Sequence, residues 1–462
     1  MDLQRVPSEQ PIGRLSLSQA LRLGQSEVVA LVGGGGKTTT LFRLAAELAA
    51  TRRVLMTTST RIFAAQIQQA PAYVTFDPNR QTLDDILPVL HNALDRHSQV
   101  LLIGQIDRPG GKAFGIAPEV IDALVTTGQF DTILVEADGS RMRPFKAPAD
   151  HEPVIPALTT IVVPVVGIDI LGRPLTDESA HRAGRVSQLS HTPLGEPVTS
   201  QTITEVFCHR QGGLKNVPDG ARFVPLINKV ETTAQQRAAH DLAARLLACE
   251  RVDSVVIGAV QAKTAPILDI WGRSAAVILA AGGSTRFGSP KQLAPWRDKT
   301  FIEHVVDTTL ASAANPVIVV LGAEVEQCRR LLQHKSVTIV INDRWADGQS
   351  TSMQAGLAAL PANVSSALFL LVDLPGVTAD VLNAIIDRHR QTLAPLVWPE
   401  FAGRRGNPVL FDRALFAELS HISGDTGGRP VLLAHKDQAE RVIVAQPGII
   451  QDVDRPEDLE EL

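Results

Sequence analysis

The chain has 462 residues, which at about 100–200 residues per domain predicts two to four domains. With 44% hydrophobic and 20% charged residues it can bury a large core, which excludes an intrinsically disordered chain. Its net charge of −5, its 4% aromatic content and its three widely separated cysteines give no support for a nucleic-acid-binding protein and exclude a disulfide framework.

The N-terminal residues 1–13 contain no apolar stretch after Arg5, so we expect no secretory signal. The best apolar run, residues 160–170, is interrupted by Pro164 and Asp169 and is far shorter than the roughly 20 residues of a membrane span. We therefore expect a cytoplasmic location, with neither a membrane nor a nucleic acid as partner.

Short apolar runs rich in β-branched residues alternate with amphipathic stretches along the chain. Such runs indicate buried parallel strands covered by helices, so the predicted fold class is α/β. The predicted strands are 28–32, 100–103, 132–136, 160–166, 223–227, 254–260, 276–280, 317–321, 367–372 and 441–445. The predicted helices are 38–50, 83–94, 234–249, 302–311 and 379–388.

Residues 27–48 have the order of strand, glycine-rich loop and helix that binds phosphate. Backbone N–H groups of the glycines can approach phosphate oxygens, and the helix start adds the positive end of its dipole. Lys37 is placed to reach the outer phosphates and the Thr38 hydroxyl to bind Mg²⁺. The long pattern G-x-x-x-x-G-K-[ST] fails at Leu31, whereas the shorter G-x-x-G-K-T matches. A turn that binds nothing is the less favoured alternative. The predicted nucleotide-binding residues are Gly33, Gly34, Gly35, Gly36, Lys37 and Thr38.

About 100 residues later, an apolar strand ends in two acids, Glu136 and Asp138. A P-loop protein places at this position the acid that holds Mg²⁺ or orients a nucleophile, so both are predicted metal ligands. The alternative is a pair of surface carboxylates. Arg141, Arg143 and Lys146 follow, and they form either a cationic cluster that clamps an anionic substrate or an ordinary solvated loop.

The segment 223–231 ends in Asn228 and Lys229, with Glu231 two residues further on. This order is similar to the N-K-x-D base reader of GTPases, although the acid here is one methylene longer. An ordinary strand end is the preferred interpretation, and guanine selection is the alternative.

The phosphate loop and the block V-E-A-D-G-S to P-F-K-A-P-A-D-H-E-P-V-I-P, residues 135–156, together resemble the YqeC family. That family is associated with maturation of selenium-dependent molybdenum hydroxylases. The resemblance covers roughly 15–262, and with the loop it implies a P-loop-NTPase-like domain at 15–264 that binds ATP or GTP and serves an apo molybdenum hydroxylase. His151 and Glu152 lie in the block, where metal or substrate contact and a purely structural role both stay open.

A second strand and glycine-rich loop stands at 275–293, and its residues 279–291 match L-A-A-G-x-S-x-R-x-G-x-x-K. The glycines permit close approach to a triphosphate, and Arg286 and Lys291 are placed to neutralise charge as pyrophosphate leaves. A dinucleotide-binding loop needs an acid at the end of the next strand, where Gly322 stands instead. The predicted nucleotide-binding residues are Leu279, Ala280, Ala281, Gly282 and Gly283, with Gly288 as the further glycine of the loop.

Acidic residues are predicted to hold Mg²⁺ beside the second loop. Asp373 follows a buried strand, and a carboxylate at a strand's carboxyl end is well placed over the crevice. It is therefore a predicted metal ligand and, with Arg286 and Lys291, a predicted catalytic residue. The tail adds Asp452 and Asp454, of which Asp454 can instead cap a final helix.

Three loops, 342–356, 403–411 and 423–432, offer polar groups for a large anionic acceptor. Trp345 in the first of them is equally well explained as a core anchor. The candidate acceptor-binding residues are Asn342, Trp345, Gly348, Ser350, Ser352, Arg405, Asn407 and the turn 425–429.

Residues 275–462 resemble molybdenum cofactor nucleotidyltransferases of the MocA (cytidylyltransferase) type. The resemblance lies in the L-A-A-G loop and in the segments N-x-x-W-x-x-G-x-S-x-S, D-L-P, R-G-N-P, G-D-x-G-G-R and D-V-D-x-P-E-D-L. It implies a Rossmann-like, GT-A-like domain that transfers a nucleoside monophosphate from an NTP to the phosphate of molybdopterin. Ala281 implies CTP as donor, its methyl narrowing the base pocket against a purine. By analogy with wider nucleotidyltransferases, Asp452 rather than Asp454 is the second metal ligand.

The leading hypothesis joins these two domains, both Rossmann-like. It is a molybdenum cofactor cytidylyltransferase that uses CTP, Mg²⁺ and a molybdopterin-type cofactor, fused to a P-loop maturation factor for molybdenum hydroxylases. Two alternatives stay open: a nucleotidyltransferase with a sugar phosphate or alditol phosphate acceptor, and a non-catalytic cofactor chaperone.

Overall fold

The computed structural model describes residues 15–107, 111–283, 287, 289–453, 455 and 457–458. The chain divides into two compact units, Met1–Trp271 and Gly272–Leu462, which we call the first and the second unit. Each is an α/β structure built on its own sheet. None of the helices in the described ranges combines the length and the hydrophobicity that crossing a bilayer requires.

The first unit contains strands and helices in alternation. Its strands are β1 Glu27–Gly33, β2 Val54–Thr58, β3 Ile62–Phe63, β4 Tyr73–Thr75, β5 Gln99–Ile103, β6 Ile106–Asp107, β7 Lys112–Ala113, β8 Thr132–Glu136, β9 Phe145–Lys146, β10 Ile161–Gly167, β11 Ala180–His181, β12 Arg222–Phe223, β13 Leu226–Asn228 and β14 Ser254–Gly258. Its helices are α1 Leu17–Ala20, α2 Lys37–Leu48, α3 Ala64–Ile67, α4 Leu83–His97, α5 Pro118–Thr126, α6 Ala183–Ser190, α7 Ser200–Phe207 and α8 Thr233–Leu247.

The main sheet of the first unit is parallel throughout, in the order β4, β5, β2, β8, β1, β10, β13, β14, and β12 also pairs with β10. β1 is central, and its residues Val28–Gly33 are buried, as expected for a strand covered on both faces. The carboxyl ends of all these strands meet at one edge of the sheet, where ligands bind in open α/β structures.

The second unit begins within a long strand. Its strands are β15 Ile267–Ala280, β16 Pro295–Trp296, β17 Lys299–Thr300, β18 Val317–Leu321, β19 Thr338–Ile341, β20 Val364–Leu371, β21 Leu396–Phe401, β22 Arg404–Arg405, β23 Val409–Asp412 and β24 Glu440–Ile443. Its helices are α9 Phe301–Leu310, α10 Val325–Leu332, α11 Gln349–Ala358, α12 Ala379–Thr392, α13 Phe416–Leu419 and α14 Arg429–His435.

The sheet of the second unit has the order β19, β18, β15, β20, β23, β21, β24. The prediction of parallel strands is wrong here in part, because β23 runs antiparallel to both of its neighbours. Alternate residues of β15 enter two separate apolar clusters, Ala276 and Ile278 in one and Ala275 and Val277 in the other. Both faces of this sheet are therefore covered, as its continuous apolar strands indicate.

The residues between the two predicted domains, which end at 264 and begin at 275, are not a loose connector, because β15 begins at Ile267. Ile267 and Ile270 are buried, and the Trp271 ring lies 5.2 Å from that of His240. These apolar residues pack as part of the first unit, and their burial favours an extended strand over an exposed linker.

Candidate functional site

The loop of residues 33–36 lies at the carboxyl end of the central strand β1, between β8 and β10. Gly35 has φ = +72°, and a Cβ atom at this position would lie 2.1 Å from the backbone nitrogen of Gly167. No other residue fits there, since both the conformation and the space exclude a side chain. The glycine pattern therefore reflects close backbone packing of the loop against the end of β10.

Most N–H groups of the four glycines are already used within the protein. Gly34 donates to the Val165 carbonyl at 2.8 Å, Gly35 to that of Arg143 at 3.0 Å, and Gly33 to the Asp138 carboxylate at 3.0 Å. The expectation that all four glycines present N–H groups to phosphate is therefore wrong for three of them.

The open donors of this loop come one step later in the chain. In the described part of the chain, the N–H groups of Gly36, Lys37 and Thr38 have no acceptor, and no side chain caps α2. Unpaired N–H groups at the start of a twelve-residue helix form a site for an anion. The loop thus positions the first turn of α2, and that turn offers the donors.

A chain of opposite charges runs from Lys37 into the surrounding structure. The Lys37 ammonium lies 3.1 Å from Asp138, and Asp138 lies 3.0 Å from Lys146. Lys146 and Arg182 both contact Glu152 at 2.7 Å. Lys146 therefore belongs neither to an open cationic cluster nor to a solvated loop, the two alternatives for this segment, because it is buried between two acids. Glu152 is engaged in the same way, which favours its structural interpretation.

Glu136, rather than Asp138, reaches the open side of the loop. Its carboxylate accepts a hydrogen bond from the Thr38 hydroxyl at 2.9 Å, and Gln66 donates to that hydroxyl at 3.1 Å. Burial raises the pKa of Glu136, while the charge of Lys37 and the bond from Thr38 lower it. Thr38 and Glu136 thus present adjacent oxygen atoms of the kind that Mg²⁺ prefers. Asp138 is occupied by two lysines and supports the loop.

The N-K-x-E segment is built into the same edge of the sheet. Asn228 is buried, donates to the Gly35 carbonyl at 2.9 Å and accepts from the Val260 N–H at 2.9 Å. The Lys229 ammonium lies 3.3 Å from Asp169. Asn228 therefore fixes the phosphate loop to β14, which supports the interpretation as a structural strand end.

A cavity of about 810 Å³ opens above this edge of the sheet. Its wall includes Lys37, Thr38 and Glu136 from the site, together with Lys229 from the end of β13. Ligand pockets commonly have volumes of about 300–1,000 Å³, so the cavity has room for a nucleotide. His151 also lines it, and 79% of the His151 side chain is exposed.

We expect Glu152→Gln to destabilise the first unit in a pH-dependent way. Burial by itself raises the pKa of Glu152. The hydrogen bonds and charges of Arg182 and Lys146 outweigh this effect and lower that pKa to about 2 from the usual 4.5. The stabilisation is present above pH 4.5 and is lost as the pH falls towards 2. Breaking a buried pair costs about 3 kcal/mol at pH 7, and this difference from the wild type should shrink below pH 4.5.

Urea unfolding followed by hydrogen exchange of peptides from residues 145–190 measures this effect at pH 7 and pH 3.5. Glu231→Gln, at an exposed position, is the matched control and should match the wild type at both pH values. A Glu152→Gln cost that does not change with pH contradicts the assignment.

The second loop follows β15 at the carboxyl edge of the other sheet. Leu279, Ala280 and Ala281 are buried, and Gly282 faces open space, since nothing lies within 4 Å of a Cβ built on it. The Gln292 amide donates to the carbonyls of Ala280 at 3.3 Å and Gly282 at 3.1 Å. Gln292 thus holds the start of the loop in place. Arg286, with the loop glycine at position 288, lies outside the described residues.

The Ala281 side chain belongs to the apolar cluster that contains Leu279 and Ile318. Its methyl is therefore packed in the core, and the prediction that it narrows an open base pocket is wrong. Any effect of this residue on nucleotide choice has to act through the position of the loop.

Asp373 and Lys291 meet at this edge, with 3.4 Å between the Lys291 ammonium and the Asp373 Oδ2 atom. Asp373 Oδ1 is buried and has no hydrogen-bond partner. Burial raises the pKa of Asp373, Lys291 lowers it and Asp452 raises it, so a second carboxylate acts on the same position. The Val453 N–H donates to the Asp373 carbonyl at 3.0 Å, which fixes the tail beside the strand end. Asp454 lies outside the described residues.

Several predicted acceptor-binding residues are engaged in holding loops together. The Asn342 amide donates to Thr351 at 2.9 Å and to Ser352 at 3.0 Å, and all three residues are buried. The Trp345 ring packs directly against Gly322 and Gly283. A Cβ atom on Gly322 would lie 2.5 Å from the nearest ring atom, and a Cβ atom on Gly283 would lie 3.1 Å from it. These residues support the second loop from below, which confirms the anchor interpretation of Trp345.

Arg405 and Arg429 lie close enough to affect each other. Burial lowers the pKa of Arg405, and the charge of Arg429 lowers it further. Neither guanidinium has an ion-pair partner among the described residues. Two cations without a counter-charge favour an anionic ligand between them.

Sequence reasoning missed Gln66 and Gln292, which orient Thr38 and the second loop. Gln66 lies in a short helix that no motif marks, whereas Gln292 directly follows the loop lysine and that position is its only sequence signal. It also missed Arg61, Phe114 and Arg182, which line the cavity from distant parts of the chain.

Two family models match the chain, YqeC protein over residues 29–184 and MobA-like NTP transferase domain over residues 276–439. Over 203 residues the chain is 37% identical to the YqeC protein of Escherichia coli, covering 44% of this chain and 75% of that protein. Over 191 residues it is 31% identical to nicotine blue oxidoreductase of Paenarthrobacter nicotinovorans, and the match covers 40% of this chain and 93% of that protein. Over 184 residues it is 28% identical to molybdenum cofactor cytidylyltransferase of Escherichia coli, and the match covers 39% of this chain and 91% of that protein.

Proposed function

The chain belongs to the YqeC family in its first unit and to the MobA-like NTP transferase family in its second, and on this premise we propose that the second unit is a molybdenum cofactor cytidylyltransferase. It transfers cytidylate from CTP to the phosphate of a molybdopterin-type cofactor and releases pyrophosphate. The observation that carries the proposal is the pair of Lys291 and Asp373 beside the loop of residues 279–283. The 28% identity with a cytidylyltransferase supports CTP as the donor.

The residues around Asp373 fit a divalent cation. Asp373 Oδ1 is buried without a hydrogen-bond partner, and the charge of Asp452 acts on the same carboxyl group. Mg²⁺ is usually bound through one or two carboxylates together with substrate phosphates, so two acids suffice. A bound Mg²⁺ supplies charge stabilisation on the α-phosphate and the pyrophosphate.

The remaining chemistry is assigned to the chain itself. Lys291, whose ammonium is held at 3.4 Å from Asp373, neutralises charge on the phosphates of CTP. An oxygen of the acceptor phosphate attacks the α-phosphorus, and the bond from that phosphorus to the bridging oxygen of pyrophosphate breaks. The nucleophile is already an anion, so no general base is needed. Arg405 and Arg429, for which no ion pair is found among the described residues, are assigned to the acceptor phosphate.

The first unit is proposed to bind Mg²⁺ with ATP or GTP and to act as a maturation factor for a molybdenum hydroxylase. The unpaired N–H groups of Gly36, Lys37 and Thr38 favour a phosphate, and Thr38 with Glu136 favours the ion. Lys37 acts on the outer phosphates as a point charge, and Asp138 holds it beside the loop at 3.1 Å. Gly33, Gly34 and Gly35 shape the loop.

The test of the cytidylyltransferase proposal is turnover by the purified full chain with Mg²⁺, CTP and molybdopterin that carries molybdenum. We expect release of pyrophosphate with formation of the cytosine dinucleotide, and at least about tenfold less product with GTP. Preferential turnover of a sugar phosphate or an alditol phosphate contradicts the proposed acceptor. Binding of cofactor without pyrophosphate release supports a chaperone instead.

The similarity to nicotine blue oxidoreductase raises a second candidate function. This relative is 31% identical over 40% of the chain, whereas the cytidylyltransferase is 28% identical over 39%. Reduction of nicotine blue by the purified chain with an added two-electron donor such as NADH, which is oxidised in the same step, favours that function if no CTP-dependent pyrophosphate release is found. The lysine and aspartate pair at the strand edge favours nucleotidyl transfer.

A further inference from the structure

The wall of the cavity in the first unit carries more positive than negative charge. Among the described residues, seven lysines and arginines line it, against the two acids Glu136 and Glu152. Four of these cations are matched: Lys37 by Asp138, Arg182 by Glu152, Lys229 by Asp169, and Arg143 by the Asp177 carbonyl.

Two guanidinium groups of the wall are not matched. Arg61 and Arg141 have no hydrogen-bond or ion-pair partner in the described part of the chain. The Arg61 guanidinium instead lies 4.7 Å from the centre of the Phe114 ring, and Phe114 is 42% exposed. Uncompensated charge on a cavity wall favours an anion, and an exposed ring beside it favours a flat apolar group.

These groups lie to one side of the phosphate loop. Arg61 follows β2, and Phe114 comes after β5 and the short hairpin of β6 and β7. Because neighbouring strands are about 4.8 Å apart, the ends of β2 and β5 lie roughly 10 and 14 Å from β1 across the sheet. Lys229, after β13, lies on the opposite side. The cavity therefore extends in two directions from the loop of residues 33–36, towards Arg61 and Phe114 on one side and towards Lys229 on the other.

Arg141 lies in the loop that follows β8, and this loop has an unusual conformation. Arg141 and Met142 are consecutive non-glycine residues with φ values of +50° and +62°, and the Met142 side chain is 89% exposed. The same loop is fixed to the phosphate loop, since the Gly35 N–H donates to the Arg143 carbonyl. Strained residues persist where the surrounding structure fixes them, and they are common at ligand sites.

We propose that this cavity binds, beside the nucleotide, a second small molecule that carries a phosphate group on a planar ring system. Arg61 and Arg141 bind the phosphate group, and Phe114 contacts the ring. The inference rests on the proposed function in taking the first turn of α2 as the nucleotide site. It assigns the first unit to a reaction or transfer with two substrates.

The test uses phenyl phosphate as a probe for the second site in the full chain. The nucleotide site is first saturated with Mg²⁺ and the imido analogue of ATP or GTP, whichever binds more tightly, and phenyl phosphate is then added in a calorimeter. We expect binding that Arg61→Gln and Arg141→Gln each weaken at least about tenfold, with nucleotide affinity unchanged within about twofold. Arg80→Gln, at an exposed arginine outside the cavity, should leave both affinities unchanged.

Parallel titrations with inorganic phosphate and with phenol separate the two parts of the ligand. If inorganic phosphate and phenol each bind more weakly than phenyl phosphate, the site recognises the ring and the anion together. If inorganic phosphate binds as tightly as phenyl phosphate, the proposed contact with a ring is wrong. Phenyl phosphate that binds to the second unit binds the wild type and both variants equally. Only the part of the affinity for phenyl phosphate that Arg61→Gln and Arg141→Gln lose is therefore assigned to the cavity.

Two results overturn the inference. One is no detectable phenyl phosphate binding to the nucleotide-bound wild type; the other is an equal loss of nucleotide affinity in Arg61→Gln and Arg141→Gln, which places both cations on the nucleotide. Failure of the proposed nucleotide site has a different outcome, in which the wild type binds no nucleotide while phenyl phosphate still depends on Arg61 and Arg141.

Discussion

Replacing Asp373 with asparagine is expected to reduce kcat/KM for cytidylyl transfer by about a hundred- to a thousandfold. The amide keeps the size of the side chain but removes the charge that the proposed Mg²⁺ ion needs. Loss of several kcal/mol of charge stabilisation corresponds to this range, since each 1.36 kcal/mol is tenfold in rate. Pyrophosphate release at saturating molybdopterin acceptor, measured as CTP and Mg²⁺ are varied, gives the effect directly.

Asp437→Asn is the matched control, because Asp437 is an exposed aspartate of the same unit. Its activity should equal that of the wild type. The two variants should also have similar melting temperatures, since the amide keeps the size of the side chain and burial already disfavours the charge that is removed. Full activity of Asp373→Asn excludes this carboxylate as a metal ligand and removes the main support for the proposed mechanism.

Replacing Lys37 with alanine is expected to weaken nucleotide binding to the first unit at least about a hundredfold. The ammonium belongs to the first residue of α2 and lines the same cavity as the open N–H groups, and a hundredfold loss corresponds to about 2.8 kcal/mol. Titration with Mg²⁺ and a fluorescent analogue of ATP or GTP measures the affinity. Cytidylyl transfer by the second unit should stay unchanged, which separates the two sites within one chain.

The exposed Lys263 provides the control variant Lys263→Ala, which should keep wild-type affinity. Folding of Lys37→Ala needs a separate check, because Lys37 is buried against Asp138. Asp138 keeps its contacts with Lys146 and with the Gly33 N–H, so the unit should still fold. A folded variant that binds nucleotide as tightly as the wild type refutes the phosphate-loop assignment.

The positions of the chemistry-bearing residues along the sheets could be predicted because they follow from local pattern. An apolar run rich in β-branched residues gives a strand, and the residue after it lies at the sheet edge. Glu136 and Asp373 were found in this way, and both lie at that edge. The run at 132–136 and the strand β8 have the same limits.

Pairing of charges could not be predicted from the same pattern. The sequence leaves Lys146 either in a cationic cluster or in a solvated loop. In the structure it contacts Glu152, six residues away, and Glu152 also contacts Arg182, 36 residues away from Lys146. Its other partner, Asp138, comes from the end of a neighbouring strand. Asn342, likewise, was assigned to a ligand and instead holds Thr351 and Ser352. A polar residue in a loop has the same sequence pattern whether it binds a ligand or holds other parts of the protein together.

The amino-acid sequence by itself determined the families, the α/β class and the two glycine-rich loops, because buried strands and the tight turns that follow them depend on residues that are neighbours in the chain. Only the tertiary structure decided which groups stay open to a ligand. In the first unit it uses the N–H groups of Gly33, Gly34 and Gly35 internally, and among the described residues it leaves Arg61 and Arg141 unpaired. The physical reason is that a charge or a donor is free only if no distant segment folds against it, and contacts between distant segments have no local signal.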